Sequence, residues 1–213
     1  MTFLVGENGS GKSTLIEAIA IKAGFNAEGG NKNFTTKQRP SESSLHEHVR
    51  LHRGTRRETG GFFLRAETMF NVATEVEANQ YDHPDLRHPW ERIHDKSHGE
   101  AFLYVLRERF RSNGLFILDE PESALSPQRQ LVALAIIDRL VRAGSQFVIA
   151  THSPILMAYP GATILRLDDS GLTKIAWQDT EHVAVTKAFL NDPVRMMQRS
   201  FVGNDLDDDD GLS

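Results

Sequence analysis

Residues 6–13, GENGSGKS, constrain the fold of this chain more than any other feature of its sequence. They follow a short β-like run at residues 2–5, and they precede a segment with apolar residues at helical spacing, Leu15, Ile16, Ile19 and Ala20. Glycines in such a run let backbone amides curl around an anion, and the N-terminus of the following helix adds partial positive charge. The pattern G-x-x-x-x-G-K-[ST] between a strand and a helix therefore predicts a site for nucleotide phosphates.

The chemistry of this loop gives individual residues a role. Lys12 can reach the β- and γ-phosphates of a nucleoside triphosphate, and the Ser13 hydroxyl can ligate Mg²⁺. The predicted nucleotide contacts are the residues of the loop and of the first helical turn: Gly6, Glu7, Asn8, Gly9, Ser10, Gly11, Lys12, Ser13 and Thr14.

Two carboxylates follow the apolar run at residues 115–118, which is typical of a parallel strand buried on both faces. In an α/β sheet, the carboxyl end of such a strand lies where ligands bind. Asp119 is therefore predicted to hold Mg²⁺, and Glu120 to act as the base that polarises the attacking water. Read without the glycine-rich loop, the pair would be an ordinary acidic loop after a core strand.

His152 follows a second buried run, at residues 147–150. Parallel strands would bring this side chain to the same edge of the sheet, within reach of a γ-phosphate, and we predict a catalytic role for it. The alternative is a structural histidine that hydrogen-bonds at a strand end.

The alternation of predicted strands and helices indicates an α/β fold with a parallel sheet. Besides the runs already described, the sequence predicts a strand at 61–66 and a hairpin at 162–177. Helices are predicted near 42–52 and at 67–78, 98–110, 127–143, 181–190 and 193–201. In the helix at 127–143, four residues are expected to face the core: Leu131, Leu134, Ala135 and Ile137.

Composition excludes several classes of protein. The chain has no cysteine, so a disulfide scaffold, a Cys-ligated zinc site and thiol catalysis are ruled out, and a cytoplasmic location fits. No apolar run approaches the ~20 residues that cross a bilayer, so no membrane insertion is expected. The N-terminus lacks the basic segment and apolar stretch of a signal peptide.

The net charge of −5 is unevenly distributed. Asp205 and residues 207–210 carry five acidic groups, so the rest of the chain is neutral and gives no general signal for nucleic-acid binding. The acidic end is expected to be a disordered, solubilising tail, or alternatively an interaction tail. Between residues 46 and 57 lies a basic cluster, which comprises His46, His48, Arg50, His52, Arg53, Arg56 and Arg57. It is interpreted either as a contact surface for nucleic acid or an acidic partner, or as a solvated surface.

Four motifs in order, GENGSGKST, SHGE, FILDEPESALS and ATHS, resemble the motif set of the ABC-type ATPase superfamily. Their form is more similar to SMC-like and RecF-like ATPases than to transporter subunits, and closest to small stand-alone bacterial AAA family ATPases. The resemblance implies a P-loop NTPase fold, with a mostly parallel sheet flanked by helices. It places one ABC-type ATPase domain at 1–203, with a helical or irregular insertion at 26–97 and the acidic tail at 204–213.

The resemblance also implies functional roles for further residues. Ser97 and Gly99 look like the signature motif, which contacts the γ-phosphate bound to the opposite subunit; alone, they would be an ordinary helix cap. Residues 123–126 match the D-loop, and His152 matches the switch histidine. The departures are a signature without the LSGGQ form and Ser126 where the family often has aspartate. A Q-loop glutamine is also missing after the predicted strand at 61–66. Glu67 lies near the position where the family has it, and Gln38 lies before that strand.

The function that follows is a cytoplasmic Mg²⁺-dependent ATPase, acting as an ATP-gated head-to-tail homodimer. A protein partner or a nucleic acid is compatible with the sequence and is not identified by it. Two alternatives stay open. An energising transporter subunit would need a Q-loop coupling surface, and a nucleotide switch without hydrolysis is disfavoured by the intact Lys12, Asp119 and Glu120.

Overall fold

A computed structural model describes residues 1–32, 43–52, 54, 58–66 and 96–204. Several predicted features lie outside these ranges: the helix at 67–78, Gln38, Glu67, three arginines of the basic cluster (Arg53, Arg56 and Arg57) and the acidic groups at 205–210. Of the described residues of that cluster, His48, Arg50 and His52 are exposed.

Within the described residues, strands and helices alternate as the sequence predicts. The strands are β1 (Thr2–Val5), β2 (Gly60–Arg65), β3 (Gly114–Asp119), β4 (Gln146–Ala150), β5 (Thr163–Asp168) and β6 (Gly171–Ile175). The helices are α1 (Lys12–Ala23), α2 (Leu45–His48), α3 (His98–Arg109), α4 (Pro127–Arg142), α5 (Pro154–Met157), α6 (Glu181–Asn191) and α7 (Pro193–Asn204). Short 3₁₀ turns occupy Pro121–Ala124 and Trp177–Asp179. In this part of the chain, no helix combines the length and the apolarity needed to span a membrane.

The strands form one sheet in the order β2-β3-β4-β1-β5-β6. All neighbouring pairs are parallel except β5 and β6, which form the predicted hairpin. This confirms the mostly parallel sheet. β2 lies inside the interval 26–97 and pairs with β3, so this interval contributes an edge strand to the central sheet. The carboxyl ends of β1, β3 and β4 meet at one edge, which brings the three predicted motifs together.

Apolar side chains cover both faces of the sheet. On one face, α1 packs against Leu4, Phe63 and Ile117. On the other face, α3 and α4 pack over a cluster that includes a stacked pair of rings, Phe110 and Phe116, with centroids 4.1 Å apart. Because α1 and α3 lie on opposite faces, the sheet separates the helix of the glycine-rich loop from the helix that begins after Ser97.

The predicted inward face of α4 is partly wrong. Leu131 is 58 % exposed and Ala135 is exposed, whereas the buried positions are Gln130, Ala133, Ile136, Ile137 and Leu140. The polar side chain of Gln130 takes an inward place because its amide is paired there. Gln130 Nε2 donates to the carbonyl of Leu125 at 3.0 Å, and Oε1 accepts from Ser153 Oγ at 2.5 Å. Apolar periodicity alone therefore places Leu131 and Ala135 inward wrongly, whereas Ile137 is buried as predicted and Leu134 packs partly buried against the core.

Candidate nucleotide-binding and catalytic site

The glycine-rich loop is shaped by its backbone. Gly6, Gly9 and Gly11 all have positive φ, at 152°, 81° and 89°. A Cβ atom on Gly6 would lie 2.4 Å from the carbonyl oxygen of Leu167 in β5, so only glycine fits there. Residues 7–9 are exposed. The loop therefore forms an open cradle whose backbone shape requires glycine.

Lys12 begins α1 and is 4 % exposed. Its Nζ atom donates to the carbonyls of Gly6 at 2.9 Å and Glu7 at 2.8 Å, so the ammonium is held inside the loop. Burial lowers the pKa of Lys12, while the charges of Glu120, Asp119 and Glu122 act in the opposite direction. The ammonium is therefore largely desolvated, and the three nearby carboxylates favour its charged form. Thr14, two residues after Lys12 in α1, is exposed.

Ser13 and Asp119 meet at the carboxyl end of β3. Ser13 Oγ donates to Asp119 Oδ1 at 3.2 Å, and the aspartate is 5 % exposed. On the other side of the carboxylate, Arg65 Nε lies 3.5 Å from Asp119 Oδ2, and Arg65 Nη1 donates to Glu17 Oε2 at 3.0 Å. A hydroxyl and a carboxylate oxygen so close together match the oxygen ligands that Mg²⁺ prefers.

Glu120 is in a strained backbone conformation, with φ 47° and ψ 52°. Its N–H donates to the carbonyl of Ala150 at 3.0 Å, which ties the end of β3 to the end of β4. The side chain stays 40 % exposed, and Oε1 lies 3.7 Å from His152 Nε2. A left-handed residue at such a position is characteristic of functional sites. Here it presents the carboxylate towards the loop and the histidine.

His152 is held between two residues of different elements. Its Nδ1 lies 2.8 Å from Nε2 of His182, on the first turn of α6. Its Nε2 faces Glu120 and is buried without a hydrogen-bond partner among the described residues. Burial lowers the pKa of His152, and the charges of Lys12 and His182 act in the same direction, against the opposing effect of Glu120.

Sequence reasoning did not assign Glu122, which joins the loops that follow β3 and β4. Glu122 Oε2 accepts from Thr151 Oγ1 at 2.7 Å, and Oε1 accepts from the His152 N–H at 2.5 Å. Burial raises the pKa of this carboxyl, and the hydrogen bonds from His152 and Thr151 partly oppose the shift. Ser153 N in turn donates to Thr151 Oγ1 at 3.0 Å. The available signal was a third carboxylate in the run DEPE.

His182 also escaped the sequence analysis. It lies thirty residues beyond His152, in a helix whose pattern gives no sign of a site. Beside it, a cleft of about 560 Å³ runs from residues 6–10 of the loop to Asp168, Asp179 and Glu181. The cleft is therefore continuous with the exposed tip of the glycine-rich loop.

Ser97 and Gly99 lie outside this group of residues, at the N-terminus of α3. Ser97 caps α3, where its N and Oγ donate to Glu100 Oε2 at 3.0 and 2.8 Å. Arg129 Nη1 donates to Ser97 Oγ at 3.0 Å, and a Cβ on Gly99 would lie only 2.6 Å from that same nitrogen. Ser126, at the end of the D-loop match, caps α4 by accepting from Arg129 N. The structure thus brings the loop, Asp119, Glu120 and His152 together, and leaves α3 on the opposite face of the sheet.

A family model described as "AAA domain, putative AbiEii toxin, Type IV TA system" matches residues 1–90 and 101–158. Among solved structures, a chain from "An inward-facing conformation of a putative metal-chelate type ABC transporter" is 17% identical, with a TM-score of 0.43 over 84% of this chain and 72% of that chain. The "SMC head domain from Thermotoga maritima" is 15% identical, with a TM-score of 0.40 over 82% and 89%. The curated proteins give no significant match.

Proposed function

Because this chain belongs to that AAA domain family, we propose that it binds ATP together with Mg²⁺ and hydrolyses it to ADP and phosphate. The observation that carries the proposal is the convergence, at one sheet edge, of a buried lysine, a Ser–Asp pair and a Glu–His pair. A cation, an oxygen pair and a carboxylate base are the groups that phosphoryl transfer to water requires.

The phosphate-binding part comprises Lys12, Ser13 and Asp119. The ammonium of Lys12 pairs with the β- and γ-phosphates when they enter the loop, in exchange for its bonds to Gly6 and Glu7. Ser13 Oγ and Asp119 Oδ1 are the atoms that would hold Mg²⁺, which supplies charge neutralisation on the phosphates when bound.

The hydrolytic part comprises Glu120 and His152. Glu120 accepts a proton from the attacking water, and its exposed carboxylate leaves space for that water. His152 Nε2, buried and without a partner among the described residues, donates a hydrogen bond to a γ-phosphate oxygen. A donor placed where negative charge develops stabilises the transition state.

The active assembly is a head-to-tail homodimer in which Ser97 and Gly99 of one subunit complete the site of the other. Two features support this. The N-terminus of α3 lies across the sheet from α1, so another copy is needed to bring it to a loop, and the guanidinium of Arg129, paired with Glu100, lies beside Ser97. A cytoplasmic location is proposed from the lack of cysteine in the sequence.

Mg-ATP turnover by the purified chain tests the catalytic proposal. We expect phosphate release that disappears on chelation of Mg²⁺ and falls about 10²- to 10³-fold in Lys12→Ala, which removes a transition-state cation. Lys22→Ala is the matched control, because Lys22 is an exposed lysine on the same helix. Equal turnover in Lys12→Ala and wild type would refute the assignment.

Mixing two inactive variants tests the dimer. Ser97→Arg should bind ATP without hydrolysing it, and Lys12→Ala should lose phosphate binding. In a mixed dimer one composite site has both groups intact, so mixing should restore part of the activity. Size-exclusion chromatography of Glu120→Gln with and without Mg-ATP provides a second readout, since a blocked base should trap the closed dimer. A monomer in every nucleotide state, with full turnover in Ser97→Arg, would reject the dimer and leave the ATPase proposal standing.

A further inference from the structure

A pair of histidines joins the catalytic edge of the sheet to the C-terminal helices. His152 Nδ1 and His182 Nε2 lie 2.8 Å apart, and the rings meet edge to face with centroids separated by 4.7 Å. We propose that His182 is a positioning residue that selects the tautomer and the ring orientation of His152. The inference rests on the proposed ATPase function, because His152 is the group whose donor must face the γ-phosphate.

The pair needs one donor and one acceptor. In the first arrangement, His182 Nε2–H donates to Nδ1 of His152, which leaves the proton of a neutral His152 on Nε2. In the second, His152 Nδ1–H donates to His182, and His152 Nε2 carries a lone pair. Oε1 of Glu120 lies 3.7 Å from His152 Nε2, and a carboxylate repels a lone pair but attracts an N–H. The first arrangement is therefore the one compatible with both neighbours: the donor of His182 occupies Nδ1 of His152, and Glu120 faces its Nε2–H.

The same arrangement accounts for the buried Nε2 atom of His152, which has no hydrogen-bond partner among the described residues. With its proton on Nε2, His152 presents a donor that lacks a partner among the described residues and points towards Glu120. A γ-phosphate oxygen accepts such a donor, whereas it would repel the lone pair of the other tautomer. The bond from His182 thus sets a state of His152 that can bind phosphate, as outer partners do for histidines at metal sites.

The choice of tautomer matters because His152 is held in its neutral form. Burial lowers the pKa of His152, and Lys12 from α1 and His182 from α6 lower it further. Glu120, from the turn after β3, acts in the opposite direction, and Glu122 accepts from the backbone N–H of His152. A protonated imidazole would donate from both nitrogens, but a neutral one donates from a single nitrogen, which a neighbour must fix.

His182 is itself placed by an anchored turn. Trp177 Nε1 donates to the carbonyl of Pro154 at 3.0 Å, two residues after His152. Thr180, which is 1 % exposed, donates from Oγ1 to the carbonyl of Trp177 at 2.8 Å and caps α6. Val183, the next residue after His182, is buried. These contacts hold the first turn of α6 against the loop that carries His152, so the two rings keep a fixed relation.

Two substitutions at one position separate positioning from packing. His182→Phe keeps the ring and removes the donor, and we expect kcat to fall about 10- to 100-fold, as for lost partners of metal-bound histidines. KM for ATP should stay within about threefold, because ground-state binding to the loop is untouched. His182→Gln, whose amide can donate, should recover most of kcat. His48→Phe on α2, an exposed histidine outside the site, controls for the substitution itself.

Nitrogen-15 NMR of the histidine rings gives a readout that needs no turnover. We expect the His152 signals, assigned by their loss in His152→Ala, to show a proton on Nε2 in wild type and a larger Nδ1-protonated fraction in His182→Phe, where Glu120 alone still favours the Nε2 proton. If wild type fails to hydrolyse ATP, the proposed function falls and the NMR result still decides the role of His182. Normal kcat in His182→Phe of an active enzyme, or an Nδ1-protonated His152 in wild type, would overturn the inference.

Discussion

The two halves of the candidate site are built in different ways. Residues 6–13 form a cradle from backbone geometry, with positive φ at three glycines and exposed side chains at its tip. The loops after β3 and β4 are instead joined by side chains, through Glu122 to Thr151 and His152 and through Gln130 to Ser153. The first half depends on a local conformation. The second depends on long-range partners, each of which leaves a buried polar group unpaired when it is removed.

The largest effect on stability is expected from truncating the carboxylate that joins the two loops. Glu122→Ala leaves the Thr151 hydroxyl and the His152 N–H without their acceptor, which should cost about 2 kcal/mol of unfolding free energy. Urea denaturation measures the change. Turnover should fall as well, because the backbone of His152 loses its support. A variant as stable as wild type would mean that the network does not hold this half of the site.

The glycine-rich loop should instead be destabilised by a substitution that its backbone conformation does not tolerate. Gly6→Ala places a Cβ 2.4 Å from the Leu167 carbonyl in a conformation with φ 152°, so we expect a loss of about 1–2 kcal/mol and weaker ATP binding. Gly9→Ala is the matched comparison, since its Cβ would meet no atom within 4 Å. Equal losses in the two variants would show that positive φ alone, and not the contact with β5, limits the loop.

The pH dependence of stability should differ between wild type and Glu122→Gln, because only wild type carries the buried carboxyl that titrates. Burial raises the pKa of Glu122 above its ordinary 4.5, so the folded protein holds this proton more tightly than the unfolded chain does. The associated stability is fully present below pH 4.5 and is lost as pH rises through the folded-state pKa. As pH rises from 4.5 through the folded-state pKa of Glu122, wild type should therefore lose stability relative to Glu122→Gln. Parallel curves in urea titrations at several pH values would contradict the assignment.

The smallest effect is expected inside the loop. Ser10 Oγ is buried without a hydrogen-bond partner among the described residues, so Ser10→Ala removes no bond in the absence of ligand. We expect the unfolding free energy to change by less than about 0.5 kcal/mol. A loss of several times that amount would show that the loop, like the other half of the site, depends on side-chain contacts.

The contrast also explains what could be predicted from sequence. The glycine-rich loop, Asp119 and Glu120 are contiguous motifs beside apolar runs, so their place at one edge of a parallel sheet followed from pattern alone, and the structure has that sheet. The resemblance to AAA family ATPases is confirmed by the family match over residues 1–90 and 101–158. The roles of these residues, and those of Ser97 and Gly99, stay predictions.

Long-range polar contacts could not be predicted in the same way. Glu122 meets residues 29 and 30 positions later, and His182 lies 30 positions after His152. The inward side of α4 was partly misassigned because Gln130 is buried where Leu125 and Ser153 satisfy its amide, whereas the apolar Leu131 is exposed. Periodicity records burial of apolar groups and carries no information on which polar groups find distant partners.

The central claim is that phosphate binding and hydrolysis reside in separable halves of the site. Mg-ATP affinity by calorimetry and phosphate release, measured on the same samples of wild type, Lys12→Ala and Glu120→Gln, test it most directly. We predict that Glu120→Gln keeps its Kd within about threefold while its turnover falls about 10²- to 10⁴-fold, and that Lys12→Ala loses both. Loss of ATP affinity in Glu120→Gln equal to that in Lys12→Ala, or undiminished turnover in Glu120→Gln, would contradict the claim.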